Sequence, residues 1–160
     1  MAFRKQGVRI EILNKEKTRE ITSKLEEQFG IKDINGIFVK KGRERIFLFQ
    51  GEFSPEEIKN IEEMAPIERV GVYIGKYVDG EDAVRLSIEG TQIFKEQINK
   101  NIFELDKEQA EKWMSGQELN IKSGKKGFVV MKYRDDFLGC GKASEEKITN
   151  FIPKNRRLKI

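Results

Sequence analysis

Short strand-like segments bounded by turn residues run through most of this chain, and they restrict it to folds that contain much β-structure. Each segment shows apolar alternation or a short apolar run, which is the pattern of a strand with one or both faces buried. In the first part of the chain the pattern predicts five strands, over residues 8–13, 34–41, 43–50, 68–78 and 82–90. The last two are predicted to form a hairpin through Asp79-Gly80, a dipeptide typical of tight turns.

The first helix is predicted between the first two strands, with clear start and stop residues. It begins after Asn14, a favourable N-cap, and ends at Gly30. Ile21, Leu25 and Phe29 share one face, so we expect this amphipathic helix to bury that face.

A second helix is predicted over residues 54–64 from a strong start signal. Ser54 is the N-cap, Pro55 occupies the first helical position and Glu57 completes a capping box. A short helix over residues 91–98 ends this α/β unit.

The pattern changes after residue 99, where one helix is accompanied by several short strands. Asp106 caps that helix, which is predicted to bury Trp113 and to end at Gly116. The strands are predicted over residues 101–106, 117–121, 127–133, 136–143 and 147–153. Many short strands with regular turn signals indicate a small barrel or sandwich. The sequence therefore predicts an α+β fold with two domains, residues 1–98 and 99–160.

The residue types and loops that many enzymes need are absent. The chain has no His and one Cys, which excludes a Ser-His-Asp triad, a His-ligated zinc and an internal disulfide. No GxxxxGK[ST] loop occurs, and no GxGxxG follows a strand. We expect no catalytic residues, no metal and no cofactor. No apolar run is long enough to span a membrane and no signal segment is recognisable, which predicts a soluble cytoplasmic protein.

The net charge of +4 is unevenly distributed along the chain. Residues 1–119 carry 20 Lys and Arg against 23 Asp and Glu, whereas residues 120–160 carry 11 against 4. A basic end on a near-neutral body suggests a polyanionic partner, either nucleic acid or an anionic membrane, with plain solubility as an equal alternative. A membrane is disfavoured because there is no basic amphipathic helix and no lipidation motif.

Seven basic residues in two places are candidates for binding a polyanion. In the turn over residues 122–126, Lys side chains and exposed glycine amides both suit phosphate oxygens, although such a turn is as often merely solvated. In the tail, cations follow Pro153, and a strand paired just before it would hold them against a folded surface. The candidates are Lys122, Lys125, Lys126, Lys154, Arg156, Arg157 and Lys159.

Cys140 lies between Gly139 and Gly141 in an apolar segment. A nucleophilic thiolate needs a lowered pKa and a nearby base, and Lys142 is the only adjacent cation in the sequence. Glycines inside a strand more often mark a bend at a barrel corner or the close approach of another backbone. We therefore expect Cys140 to be a small core residue.

Two segments, KKGFVVMKYRDDFLGCGKA and ITNFIPKNRR, resemble the closing strands of a PUA domain, a small RNA-binding pseudo-barrel. They are most similar to the PUA domain of Nop/Sun RNA cytosine methyltransferases and to that of Nip-seven-like ribosome-biogenesis factors. An earlier segment, GVYIGKYVDGEDAVRLSI, resembles the pre-PUA domain of the Nip-seven type.

This resemblance implies an N-terminal α/β pre-PUA-like domain, a C-terminal PUA-type mixed β pseudo-barrel, and RNA as ligand. It implies a basic surface made by the tail cations, with Lys142 nearby. Nip-seven-like proteins have no catalytic centre, so we expect a non-enzymatic protein that binds ribosomal or transfer RNA in ribosome biogenesis or RNA modification. Its protein partners would be ribosome-assembly or RNA-modification proteins. The alternative is an adaptor that recruits a separate RNA methyltransferase and binds RNA weakly itself.

Overall fold

The structure is a computed structural model that describes residues 9–159, and within that range the chain forms two sheets. The first sheet is antiparallel, and its strand order follows the chain. Its strands are β1 Ile10–Ile12, β2 Ile37–Lys41, β3 Arg45–Phe49, β4 Val72–Val78 and β5 Ala83–Leu86. All five strands predicted for this half are present; the Val8 end of the first lies outside the described residues.

Helix α1, Lys15–Phe29, forms as predicted, and it covers one face of this sheet. The Asn14 side chain caps it by accepting a hydrogen bond from the third backbone amide beyond it, at 2.9 Å. The helix ends at Gly30, whose φ of 82° lies in the left-handed region that glycine adopts without strain. The buried residues are the three predicted ones, Ile21, Leu25 and Phe29.

Helix α2, Pro55–Met64, is associated with the opposite face of the sheet. Ser54 and Glu57 form the predicted capping box, in which each side chain bonds the other residue's backbone amide. Ile58 of this helix is buried in a cluster with Val39 and Phe47. The first sheet is therefore covered on both faces, but α2 is short and buries a single residue.

The chain after β5 differs from the sequence prediction. The strand predicted through residue 90 ends at Leu86, because Ser87 caps helix α3, Ile88–Ile93, and its hydroxyl oxygen accepts from the Gly90 amide at 3.0 Å. The predicted helix over residues 91–98 therefore begins and ends earlier. The start was missed because Ser87 lies within an apolar alternation that also fits a strand.

The β4–β5 hairpin is present, but its turn is longer than the predicted Asp-Gly pair. A single turn of 3₁₀ helix over Asp79–Glu81 precedes Asp82, which has a φ of 48°. The Tyr77 hydroxyl donates to the Asp82 carboxylate. This hydrogen bond, more than burial or the charge of Asp82, raises the pKa of Tyr77 to about 12.

The second sheet is mixed and has the order β6-β7-β8-β9. Its strands are β6 Ile102–Glu104, β7 Gly127–Tyr133, β8 Asp136–Ala143 and β9 Ile148–Thr149. Strand β6 runs parallel to β7, and the crossover between them contains helix α4, Lys107–Met114, which Asp106 caps as predicted. The other strand pairs are antiparallel, and a register shift at Val130/Lys132 marks a bulge in β7.

Two predicted strands of this half are wrong or too long. Residues 117–121 form no strand and contribute a single bridge, from Leu119 to Ile148. The strand predicted over residues 147–153 is shorter in the structure and consists only of β9. The side chain of Asn150 accepts a hydrogen bond from the Ile152 amide at 2.7 Å. It also donates to the carbonyls of Trp113, near the end of α4, and of Gln117, just beyond it. These side-chain bonds replace the ladder that a longer strand would need.

The Gly-Cys-Gly segment packs tightly in the core, as the sequence predicts. A Cβ at Gly141 would overlap the side chains of Ile148 and Trp113. Cys140 is buried, and this burial raises the pKa of its thiol to about 12, although a backbone bond from Leu86 and the charge of Arg85 act in the opposite direction. The prediction that Cys140 is a core residue is confirmed.

The two sheets meet in a shared hydrophobic cluster. The largest buried cluster contains residues from α1 and the first sheet together with Phe128, Val130, Phe137 and Cys140 of the second sheet. The architecture is mixed α and β with two sheets, which confirms the predicted α+β class at this level. The pre-PUA arrangement and the division at residues 98 and 99 stay predictions.

Candidate nucleic-acid interface

The tail is held against the folded body rather than projecting freely. It forms one turn of 3₁₀ helix over Lys154–Arg156, and the Leu158 amide then donates to the Met114 carbonyl at 2.8 Å. Leu158 is nevertheless exposed, as is Lys159. The backbone of the tail is therefore anchored at the end of α4.

The two neighbouring arginines of the tail have different surroundings. Arg157 is half-buried, donates through Nε to the Ile152 carbonyl at 3.0 Å and packs against Gly116. Arg156 is exposed and forms an ion pair with Glu89 in the first turn of α3. Arg157 thus has a role in holding the tail, whereas the Arg156 guanidinium lies at the surface.

Glu89 is a carboxylate with competing influences on its pKa. Burial acts to raise the pKa, but hydrogen bonds from Arg156 and from its own backbone, together with the charges of Arg156 and Arg69, outweigh burial. The pKa of Glu89 is therefore below its usual value, and its carboxylate is ionised at neutral pH.

The remaining predicted residues lie beside several different parts of the fold. Lys122 is within 3.7 Å of the Glu146 carboxylate, and Lys142 forms an ion pair with Glu81 of the β4–β5 turn. Lys126 lines a small hollow of about 230 Å³ together with residues of α1 and β5, and Lys125 is exposed. The structure does not bring these four residues into contact with the tail cations, and whether any of the eight binds RNA stays a prediction.

A larger cleft, missed by the sequence analysis, lies between the two sheets and has a volume of about 640 Å³. Strands β3, β4 and β5 line one side of it, while the middle of β8 and the chain from Phe151 to Arg156 line the other. Among the described residues that line it, five are basic and Glu89 alone is acidic. The basic residues are Arg45, Arg69, Lys76, Arg85 and Arg156.

Three of these cations form a row across the first sheet. Arg45 of β3 is directly opposite Lys76 of β4, and Lys76 is directly opposite Arg85 of β5. Lys41 of β2 extends the row, because it lies directly opposite Arg45. The Lys41 ammonium also donates a hydrogen bond to the Glu68 carbonyl. Residues paired in this way point to the same face of a sheet.

The three cations of the row that line the cleft have no ionic partner within the described range. Across residues 9–159, no carboxylate oxygen lies within 4.0 Å of Arg45, Lys76 or Arg85. By contrast, Arg43 in the nearby turn lies 3.7 Å from Asp79. At these three positions, positive charge therefore lines the cleft without a neutralising carboxylate among residues 9–159.

Aromatic side chains accompany this charge. The Arg85 guanidinium lies 4.0 Å from the centroid of the Phe151 ring, which links the first sheet to the tail. Tyr73 lies beside Phe47, with ring centroids 5.5 Å apart. Burial raises the pKa of the Tyr73 hydroxyl, while the nearby charges of Arg85 and Arg45 act to lower it. Cations beside partly exposed rings are a common arrangement on surfaces that bind single-stranded nucleic acid.

The sequence contained a signal for this row that segment charges concealed. Strands β2 to β5 contain five Lys and Arg residues and no Asp or Glu. Helix α2 carries four Glu residues against one Lys, whereas α1 carries four Glu residues against four Lys and Arg residues. Counting charge by element, rather than by half of the chain, separates the basic strands from the acidic α2 and the balanced α1.

Among residues 9–159, no group of three or more His, Cys, Asp or Glu could hold a metal ion. Within the same range, no helix is long and apolar enough to cross a membrane. The raised pKa of Cys140 keeps its thiol protonated at neutral pH.

The C-terminal part of the chain is similar to a known family. Residues 100–158 match the family described as the methyltransferase RsmF PUA domain. The ribosomal RNA small subunit methyltransferase F of Psychromonas ingrahamii is 28% identical over 131 residues, which are 79% of this chain and 26% of that protein. The chain therefore spans about a quarter of this relative, and the similarity extends beyond residues 100–158 into the first sheet. The predicted PUA domain is confirmed, whereas the Nip-seven-like type stays a prediction.

Proposed function

We propose that this chain binds RNA, and that it acts in the modification of ribosomal RNA or in ribosome biogenesis. The match of residues 100–158 to a PUA domain is the observation that carries this proposal. The relative's name adds ribosomal RNA as the class of ligand. The predicted PUA surface comprises the tail cations with Lys142 and the 122–126 turn, and its ligand groups would be phosphate oxygens.

The chain is proposed to act without a catalytic centre of its own. The absence of His from the 160 residues and the burial of Cys140 support this, because neither imidazole nor thiolate chemistry is accessible. The relative is an enzyme by name, but the aligned residues are 26% of its length. Both observations are therefore compatible with a chain that binds RNA while a methyltransferase outside these 160 residues carries out the modification.

The first experiment measures binding of the full chain to a labelled single-stranded oligouridine at several salt concentrations. If four or five cations each neutralise one phosphate, log affinity falls against log salt with a slope of about −3 to −3.5, and contacts beyond the predicted surface make it steeper. Undetectable binding at low salt, or an affinity that salt does not change, would contradict the proposal.

The alternative function is an adaptor that brings RNA to a separate methyltransferase. The similarity to a methyltransferase outside the PUA domain favours it, since that region would then contact an enzyme. Purification of the tagged chain from cells distinguishes the two functions. Enriched ribosomal RNA that survives removal of associated proteins supports direct binding, whereas RNA recovered only together with an enzyme supports the adaptor.

A further inference from the structure

We propose that Arg45, Lys76 and Arg85 form a second RNA-binding surface, on which one single strand of RNA crosses the first sheet and continues through the cleft to the tail. This inference rests on the proposed RNA-binding function and adds a surface outside the predicted PUA residues. It places additional phosphate contacts on the first sheet, whose strands are basic although residues 1–119 as a whole carry a net negative charge.

The arrangement of the row is unfavourable for folding alone. Like charges directly opposite each other on neighbouring strands are destabilising, and here two such pairs share Lys76. Over residues 9–159 no carboxylate within 4.0 Å offsets this repulsion. A negatively charged ligand would offset this repulsion. Binding such a ligand therefore accounts for the row, whereas packing within the fold does not.

The length of the row fits a polymer better than a single phosphate. Neighbouring strands are about 4.8 Å apart, so the backbones at Arg45 and Arg85 are separated by about 10 Å. Arg45 is exposed, and Lys76 and Arg85 are half-buried, so their charged groups can reach solvent along the whole row. Successive phosphates of one strand can therefore contact successive cations.

Arg85 and Phe151 connect the row to the tail. The Arg85 guanidinium stacks over the ring of Phe151, 4.0 Å from its centroid, which limits the freedom of the guanidinium before a ligand binds. Phe151 also packs edge-on against Phe128, with centroids 6.4 Å apart, so its position is fixed by the core. The half-buried rings of Tyr73 and Phe151 provide apolar surface in the same cleft, where bases can stack.

The test compares two double variants of the full chain that remove the same charges. Arg45→Gln with Lys76→Gln removes one Arg and one Lys from the row. Lys15→Gln with Arg19→Gln removes one Arg and one Lys from exposed positions on α1, which covers the opposite face of the sheet. The probe is labelled single-stranded oligouridine, and each variant is titrated at several salt concentrations.

Two lost phosphate contacts flatten the salt slope by about 1.4 units, and at physiological salt they weaken binding about tenfold. We expect this result for the row variant and almost no change for the α1 variant. Equal losses in both variants would overturn the inference, because only net charge would then matter. Unchanged binding in the row variant would overturn it while leaving the proposed function intact, whereas a wild-type chain that fails to bind would overturn both.

Two further measurements complete the test. Thermal unfolding distinguishes a loss of RNA contacts from a loss of folding. Competition with a mononucleotide distinguishes a site for an RNA strand from a site for one nucleotide. The row variant should unfold at the same temperature as the wild type or a higher one, because it loses like-charge repulsion; weaker binding that follows from a lower unfolding temperature would overturn the inference. Uridine monophosphate, added at the nucleotide concentration of the RNA, should compete weakly. Full competition would show a site for one phosphorylated small molecule and would overturn the assignment to a strand.

Discussion

Glu89 is the residue that would most directly oppose RNA binding in the cleft. It is the one acidic side chain among the described residues that line the cleft, and it pairs with Arg156. Phosphate oxygens would have to approach Arg156 beside this carboxylate. The strength of the Glu89–Arg156 pair therefore sets how readily the tail arginine can contact RNA.

Replacing Glu89 with Gln should tighten RNA binding at neutral pH and steepen the salt slope by about 0.7 units, because Arg156 becomes available to one more phosphate. The pKa of Glu89 is lowered in the folded chain, so the pair stabilises the fold above the ordinary glutamate pKa and loses this effect as pH falls through the folded value. The affinities of wild type and variant should accordingly converge in acid. Weaker binding by Glu89→Gln at neutral pH would contradict this role of Glu89.

At the scale of elements, local sequence signals predicted where helices begin, but they did not predict where strand β9 ends. The starts of α1, α2 and α4 were predicted because each depends on a cap and its neighbours within four residues. The extent of β9 was not predictable in this way, since it depends on the Asn150 side chain reaching carbonyls 33 and 37 residues away in the sequence. The position of the tail was not predictable either, because Arg157 holds it through a hydrogen bond to the Ile152 carbonyl and a contact with Gly116, and the latter forms only in the folded chain.

The attachment of the tail gives a prediction at this scale. Replacing Arg157 with Ala removes the hydrogen bond to the Ile152 carbonyl and the contact with Gly116, and should lower the free energy of unfolding by about 1 kcal/mol. Lys159→Ala, at an exposed position of the same tail, is the control and should change it by less than about 0.5 kcal/mol. Urea unfolding measures both, and equal midpoints for the two variants would show that Arg157 does not hold the tail.

For the molecule as a whole, the sequence predicted the class of fold and the PUA domain, but it placed the positive surface incompletely. The tail and the 122–126 turn are visible because their cations are adjacent in the sequence. Arg45, Lys76 and Arg85 are far apart in the sequence, and only the register of three strands brings them side by side. Register depends on the whole sheet, so the cleft could not be predicted from local patterns.

Photo-cross-linking can show whether RNA lies in the cleft between the two sheets. The full chain is irradiated with a single-stranded oligouridine that contains 4-thiouridine, and cross-linked peptides are mapped by mass spectrometry. We predict cross-links at Tyr73 and Phe151, whose rings line the cleft, and their loss when excess unlabelled RNA is added. Cross-links confined to the turn over residues 122–126, with none from β4, β5 or Phe151, would contradict an RNA path through the cleft.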